Sequence, residues 1–243
     1  ANDNTAVGLK ALTANTTGTN NTAVGTKALE ANTTGDPNTA VGVHCLLNNT
    51  TGTSNTALGY NAATSNQVGS SLVAIGRDAL SSVTGGDNTA VGRNAGNNIT
   101  SGSNNTCIGF NSQASSATVT NEITLGDSNV TSLRCADTSI SSLSDRRDKT
   151  DIVDLPVGLE FINSLLPRQF KWQTREGSTK DGFVRAGFIA QELQEAQKGS
   201  EYLDLVLEEN PDKLEAKQGK LIPVLVKAIQ ELSTKVQALE AVH

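Results

Sequence analysis

The chain of 243 residues is long enough for one or two domains with ordinary cores, and it carries a net charge of −6. Five Lys or Arg stand against eight Asp or Glu before Ser144, and 14 against 17 after it, so neither half has the basic patch that phosphate contacts need. Nucleic acid is therefore not an expected partner, and no run approaches the roughly 18 apolar residues of a membrane span.

The first residues, Ala1-Asn2-Asp3-Asn4, lack the charged-then-apolar pattern of an export signal. The absence of methionine suggests a piece of a longer protein. Cys45, Cys107 and Cys135 are odd in number and lack close metal-ligand spacing, which favours reduced thiols over a disulfide framework. No metal or cofactor is expected.

Residues 4–126 are a repeat. Asn-Thr-Ala-Val-Gly occurs at 4–8, 21–25, 38–42 and 88–92, with variants at 55–59, 72–76, 105–109 and 122–126. The closing glycines, from Gly8 to Gly126, lie 17 residues apart with one interval of 16. A second series, Gly18, Gly35, Gly52, Gly69, Gly85 or Gly86, and Gly102, follows about ten residues behind. Each repeat thus reads as one coil with two corners. The Thr-Ala-Val runs alternate as short strands do, and Asn-Thr-Thr-Gly reads as a turn.

One coil cannot bury its apolar face alone. Stacking lets Val7, Val24, Val41, Leu58, Ile75, Val91, Ile108 and Leu125 form a continuous ladder, the logic of a β-solenoid. Asn4, Asn21, Asn38 and Asn55 recur in register, which predicts a hydrogen-bonded asparagine ladder. Only two of the chain's eight aromatics precede Ser144, so the coils are thin and three chains are expected to share one core. Asn15-Thr16-Thr17 and Asn32-Thr33-Thr34 have the form of glycosylation acceptors, but turn chemistry is the favoured reading. His44 beside Cys45 reads as a surface substitution.

At Ser144 the composition changes: 13 charged residues lie before it and 31 after. Residues 144–243 read as mixed α and β. Asp154-Leu155-Pro156 announces a helix carrying Leu159, Phe161, Ile162, Leu165 and Leu166. Residues 169–172 and 184–189 read as strands flanking a Gly-rich loop, and Ala190 to Lys198 as a second helix. After Pro211, Ile222, Leu225, Ile229, Leu232, Val236 and Leu239 are spaced 3, 4, 3, 4, 3, a heptad seam that favours packing between subunits over internal burial.

The first half resembles the β-roll heads of trimeric surface adhesins and the repetitive shafts of viral fibres. Ser144-Asp145-Arg146-Arg147-Asp148-Lys149, followed by the helix, Phe170-Lys171-Trp172, Gly187-Phe188-Ile189-Ala190-Gln191-Glu192 and Leu221-Ile222-Pro223-Val224-Leu225, resembles the intramolecular chaperone peptidase of endosialidase-type tailspikes. That resemblance implies a domain that trimerises, guides folding of the fibre before it, and cuts itself off. It places the scissile bond between Leu143 and Ser144, with Ser144 as nucleophile and Lys149 as general base. Asp145, Arg146 and Arg147 are candidates for supporting roles. An offset of five puts two side chains roughly 140° apart on a helix and on opposite faces of a strand. The pair therefore needs a bend or a neighbouring chain.

The expected organisation is a trimeric β-solenoid fibre domain at 1–143 and a chaperone and self-cleaving peptidase domain at 144–243, ending in a coiled-coil helix. The expected function is the distal part of a phage tail fibre or spike, located in the virion and assembled in the host cytoplasm, with a host-surface receptor or glycan as a partner of the repeats. The rival is a cellular trimeric adhesin with a non-cleaving trimerisation domain, although nothing after Lys220 alternates like the strands of a membrane barrel. A self-cleaving membrane-bound transcription factor would need a basic module and a membrane span. A glycan-degrading enzyme would need an acid pair, and Glu30, Glu122 and scattered aspartates suggest none.

Overall fold

A computed structural model describes residues 3–130, 132–135, 144–171, 182–212 and 214–242. The chain forms two compact units, Ala1–Ser132 and Leu133–His243. The expected boundary at Leu143 and Ser144 falls where residues 136–143 lie outside the described residues.

Unit one is a parallel β-solenoid. Its eight strands have three residues each: β1 (Thr5–Val7), β2 (Thr22–Val24), β3 (Thr39–Val41), β4 (Thr56–Leu58), β5 (Val73–Ile75), β6 (Thr89–Val91), β7 (Thr106–Ile108) and β8 (Ile123–Leu125). Each strand pairs in parallel with the next in chain order, like residue beside like: Thr5 with Thr22, Ala6 with Ala23, Val7 with Val24. Three residues can show only two faces. The middle residue points inward, and the core column is Ala23, Ala40, Ala57, Ala74, Ala90 and Cys107, all buried.

The expected apolar ladder forms. The Val7 to Leu125 column does stack, but on the outside of the coil: Val7, Leu58, Val91, Ile108 and Leu125 remain exposed. Small side chains, alanine in five coils and cysteine in one, occupy the strand side of the core. Larger groups enter from the other limb, where Leu29, Leu46, Leu80 and Ile99 are fully buried, and from Leu72, which takes the place of the ladder asparagine just before β5. Leu29, Leu46 and Leu80 sit at φ of 51°, 50° and 48°. A left-handed non-glycine residue costs about 1 kcal/mol or more, which burying a leucine side chain offsets by about 2 kcal/mol.

The corner glycine is a steric requirement. Gly42 has φ +138°, and a Cβ there would collide with the carbonyl oxygen of Gly59 in the next coil.

Two asparagine ladders thread the coils. In the first, the Oδ1 atoms of Asn4, Asn21, Asn38 and Asn55 each accept the backbone N–H one coil on, at 2.8–3.0 Å, from Asn21, Asn38, Asn55 and Leu72. Their Nδ2 groups donate to the carbonyls of Gly18, Gly35, Gly52 and Gly69. The second runs through Asn15, Asn32, Asn49 and Asn66, joined amide to amide at 2.8–2.9 Å. Because Asn32 is fully buried in this ladder, its Asn-Thr-Thr triplet serves as turn chemistry.

Unit two is small and mixed. α1 (Leu159–Ser164) packs on α3 (Ile222–Glu240), a helix of 19 residues preceded by a 3-10 turn at Gln218–Leu221. β9 (Arg168–Lys171) pairs antiparallel with β10 (Val184–Gly187), and α2 (Ala190–Ala196) follows. Trp172 and residues 173–181 of the predicted Gly-rich loop lie outside the described residues. β11 (Val206–Leu207) and β12 (Glu215–Ala216) form a further antiparallel pair that the sequence reading missed. The core is Leu165, Leu193, Leu203, Leu205, Val206, Leu221 and Val224.

The first helix starts later than predicted. Its N-cap is Gly158, not Asp154, and the N–H of Leu159 donates at 2.8 Å to Glu231 of α3. A carboxylate from 72 residues away thus supplies the acceptor that a local cap would have supplied.

Candidate active site

Ser144 and Asp145 precede a single 3-10 turn at Arg146–Asp148, and Lys149 closes it. Asp145 has extended backbone angles, and its Oδ1 accepts the N–H of Arg147 at 2.8 Å, the standard means by which an aspartate starts a helical turn. The Arg147 guanidinium folds back on the same carboxylate, with Nη2 to Oδ2 at 2.6 Å. That side-chain bond, aided by the backbone N–H, holds the Asp145 carboxyl below the usual carboxylate range. Lys149 returns to extended geometry, and its N–H donates to the carbonyl of Arg146 at 3.2 Å.

The turn brings the two ends of the hexapeptide together. Lys149 Nζ lies 2.6 Å from Ser144 Oγ, within hydrogen-bond reach. A regular helix or strand cannot make this contact at an offset of five, whereas one turn at about three residues per revolution between two extended residues can. The bend thus comes from within the chain, and Asp145 with Arg147 forms it. Arg146 stands exposed beside the pair, and Ser144 and Lys149 are also exposed. Leu143 lies outside the described residues, so the scissile bond has no described geometry.

A hydroxyl within reach of an amine is the arrangement of a serine nucleophile with a lysine base. Such a base works when its amine is neutral, and desolvation or neighbouring cations favour that form.

The other sequence-level candidates have structural surroundings. His44 is half-buried, with its ring 6.1 Å from that of Tyr60. Glu30 pairs with Lys10 and Lys27, each at 3.5 Å. Glu122 accepts the N–H of Ser115 at 2.7 Å and the hydroxyl of Thr124 at 3.2 Å. Among the described residues no group of three His, Cys, Asp or Glu side chains could hold a metal, and no helix is long and apolar enough to cross a membrane.

Along α3 the predicted seam, Ile222, Leu225, Ile229, Leu232, Val236 and Leu239, is exposed throughout, with Ile229 at 66%. Between seam positions, Val224 belongs to the unit's own core and Ala228 is buried. The helix therefore has two apolar edges, and only one is covered within the chain.

Residues 144–203 match the Peptidase_S74 family model, described as the chaperone of endosialidase. The match begins at the serine of the Ser144–Lys149 contact and ends before α3. No curated protein and no solved structure gives a significant match.

Proposed function

We propose, from a chain that carries an endosialidase-type chaperone domain behind a β-solenoid, that this is the distal part of a phage tail fibre or spike that releases its own folding domain. In this reading residues 1–143 are the fibre, reaching toward a host-surface receptor or glycan. Residues 144–243 trimerise, set the register of three chains, and then separate by cleavage between Leu143 and Ser144. The fibre remains with the virion.

The observation that carries the reading is the 2.6 Å contact between Lys149 Nζ and Ser144 Oγ at the start of the family match. The uncovered seam of α3 supports assembly, because six apolar heptad positions left in water would be a liability in a single chain.

The chemistry is a single turnover in cis. Ser144 Oγ attacks the carbonyl carbon of Leu143 while Lys149, as a neutral amine, takes the hydroxyl proton. The C–N bond breaks, and the lysine returns the proton to the departing nitrogen, which becomes the free amine of Ser144. The resulting ester between Leu143 and the Ser144 oxygen is hydrolysed by water, leaving a carboxylate on Leu143 and restoring the hydroxyl. Exposure in the single chain gives the step its control: packing against other copies removes water from Lys149 and favours its neutral form. Cutting thereby follows assembly.

Removing the trimerising end after folding deletes the nucleus from which three chains could find register again, so persistence of the fibre becomes a matter of unfolding rate. Denaturing and native mass spectrometry on the expressed chain test the proposal. Two fragments meeting at Leu143 and Ser144, from trimers, are expected. Ser144→Ala and Lys149→Ala should each give a full-length trimer, and normal cutting in both would refute the assignment. An uncut wild-type trimer would favour the non-cleaving adhesin.

A further inference from the structure

We propose that a strip of four side chains on consecutive coils, Tyr60, Arg77, Arg93 and Phe110, binds a carboxylate-bearing polysaccharide. Each of the four directly follows a corner glycine, Gly59, Gly76, Gly92 or Gly109. The carbonyls of Tyr60, Arg77 and Arg93 accept backbone N–H groups of the next coil, from Asp78, Asn94 and Asn111, each at 2.9 Å. The stacking of coils therefore holds the four in register, over about 14 Å at about 4.8 Å per coil. All four are exposed, Tyr60 at 47% and Phe110 at 51%.

The strip is where the repeat departs from itself. Its coils are built mostly of small and aliphatic residues, and Tyr60 and Phe110 are the only aromatic residues Phe, Tyr or Trp before Ser144. Arg77 and Arg93 are the only arginines before Arg134. The coil does not require them, since the same position is Leu9, Thr26, Val43 or Asp127 in the others. An exposed corner accepts almost any side chain, so folding gives no reason to gather both aromatics and both arginines in one column.

The ligand class follows from the pairing. Flat rings at the two ends offer surfaces for the C–H faces of sugar rings, and the guanidinium groups between them suit carboxylates through paired N–H bonds. The Arg93 guanidinium lies over the Phe110 ring, 4.5 Å from its centroid, so cation and stacking face are held together. Arg77 Nε donates to Asp78 at 2.9 Å, and its side chain stays 63% exposed. Asn94 and Asn111, half-buried at the next position, border the strip with amides for sugar hydroxyls. Two arginines are too few for a nucleic acid, whose affinity is built from many phosphate contacts. The inference rests on the reading of the repeats as a host-facing fibre, and adds the site and the chemistry of its ligand.

Isothermal titration calorimetry on the expressed chain compares polygalacturonate, its fully methyl-esterified form and poly-glutamate. Polygalacturonate should bind, and more weakly as salt is added. The ester has the rings without the charge and poly-glutamate the charge without the rings, so each should bind at least about tenfold more weakly. Arg77→Gln with Arg93→Gln, and Tyr60→Ala with Phe110→Ala, should each lose at least about tenfold. Lys10→Gln with Lys27→Gln, the same change of charge outside the strip, should stay within about twofold.

No binding of polygalacturonate, equal binding of poly-glutamate, or equal losses in the lysine and arginine variants would overturn the strip as a saccharide site. Dissociation of the oligomer by native mass in the strip variants would assign these residues to contacts between copies, and would overturn it too. The comparison of ligands uses the wild-type chain, so a folding fault in a variant cannot shield the proposal. Denaturing mass of the same samples reads the cut between Leu143 and Ser144. Cutting without binding would overturn the strip and leave the release reading standing, and binding without cutting would do the reverse.

Discussion

Asn38 lies at the centre of the first ladder and is the sharpest place to ask what the ladder contributes. Its Nδ2 donates to Asn21 Oδ1 at 3.1 Å and to the Gly52 carbonyl at 2.9 Å, and its Oδ1 accepts the Asn55 N–H at 3.0 Å. In Asn38→Ala the Gly52 carbonyl keeps Asn49 Nδ2 at 3.0 Å, and Asn21 Oδ1 keeps the Asn38 N–H at 2.9 Å. The buried Asn55 N–H loses its acceptor. One orphaned donor at about 2 kcal/mol and two weakened bonds at about 1 kcal/mol together give a loss of about 3 kcal/mol. For a unit of this size that corresponds to about 10 °C in melting temperature. Asn38→Asp separates the two halves of the side chain, since it keeps the acceptor but replaces the donor with an oxygen facing Gly52 and Asn21. Burial against those oxygens raises the folded-state pKa of the new carboxyl above its unfolded value of about 3.9. The folded state then holds the proton longer than the unfolded one, so stability is fully present below about pH 3.9 and falls as pH rises, by about 1.4 kcal/mol per unit, until the folded pKa is passed. Far-UV circular dichroism melts at one scan rate, from pH 3 to 8 and against wild type at each pH, read this directly. An Asn38→Ala melt within about 2 °C of wild type, or an Asn38→Asp difference that is flat with pH, would refute the ladder as a source of stability.

Gly42→Ala should cost about 3 kcal/mol or more, because the new Cβ meets the Gly59 backbone at positive φ. Gly219→Ala, with nothing within 4 Å of the new Cβ, should stay within about 0.5 kcal/mol in the same melts. Glu231→Ala removes the acceptor for the Leu159 N–H and should destabilise unit two by about 1 kcal/mol in denaturant titration, with Glu231→Gln retaining most of the stability. Thiol titration of the native chain at pH 8 should count one rapidly reacting cysteine, Cys135, and three after denaturation, because Cys45 and Cys107 are buried. Two fast thiols in the native chain would contradict the packed alanine core. Arg168→Ala breaks a surface pair with Glu192 and should shift stability by less than about 1 kcal/mol, a check that the exposed ion pairs contribute little.

Periodicity made the solenoid legible, because the stacking of coils requires the same residue at the same place in each coil. Gly8 to Gly126, Asn4 to Asn55 and the Thr-Ala-Val triplets all stand in the structure where that requirement puts them. The heptad spacing on α3 was equally legible, as was the pairing of Ser144 with Lys149 through the motif they share. The second ladder was visible too, since Asn15, Asn32, Asn49 and Asn66 recur in register, but those residues read as turn formers and not as buried links.

What the sequence by itself determined, then, is the set of columns and pairs, because recurrence in a chain becomes adjacency in a stack. Only the tertiary structure decided which column is inside. Alternation distinguishes two faces without ranking them, and the folded coil buries Ala23 rather than Val24. The late start of α1 depended likewise on Glu231, a partner invisible to any local pattern. The bend at Arg146–Asp148 lies between these cases: Asp145 supplies the cap locally, but only folded geometry brings Lys149 to Ser144, because an amine on a long side chain can point many ways until the turn directs it.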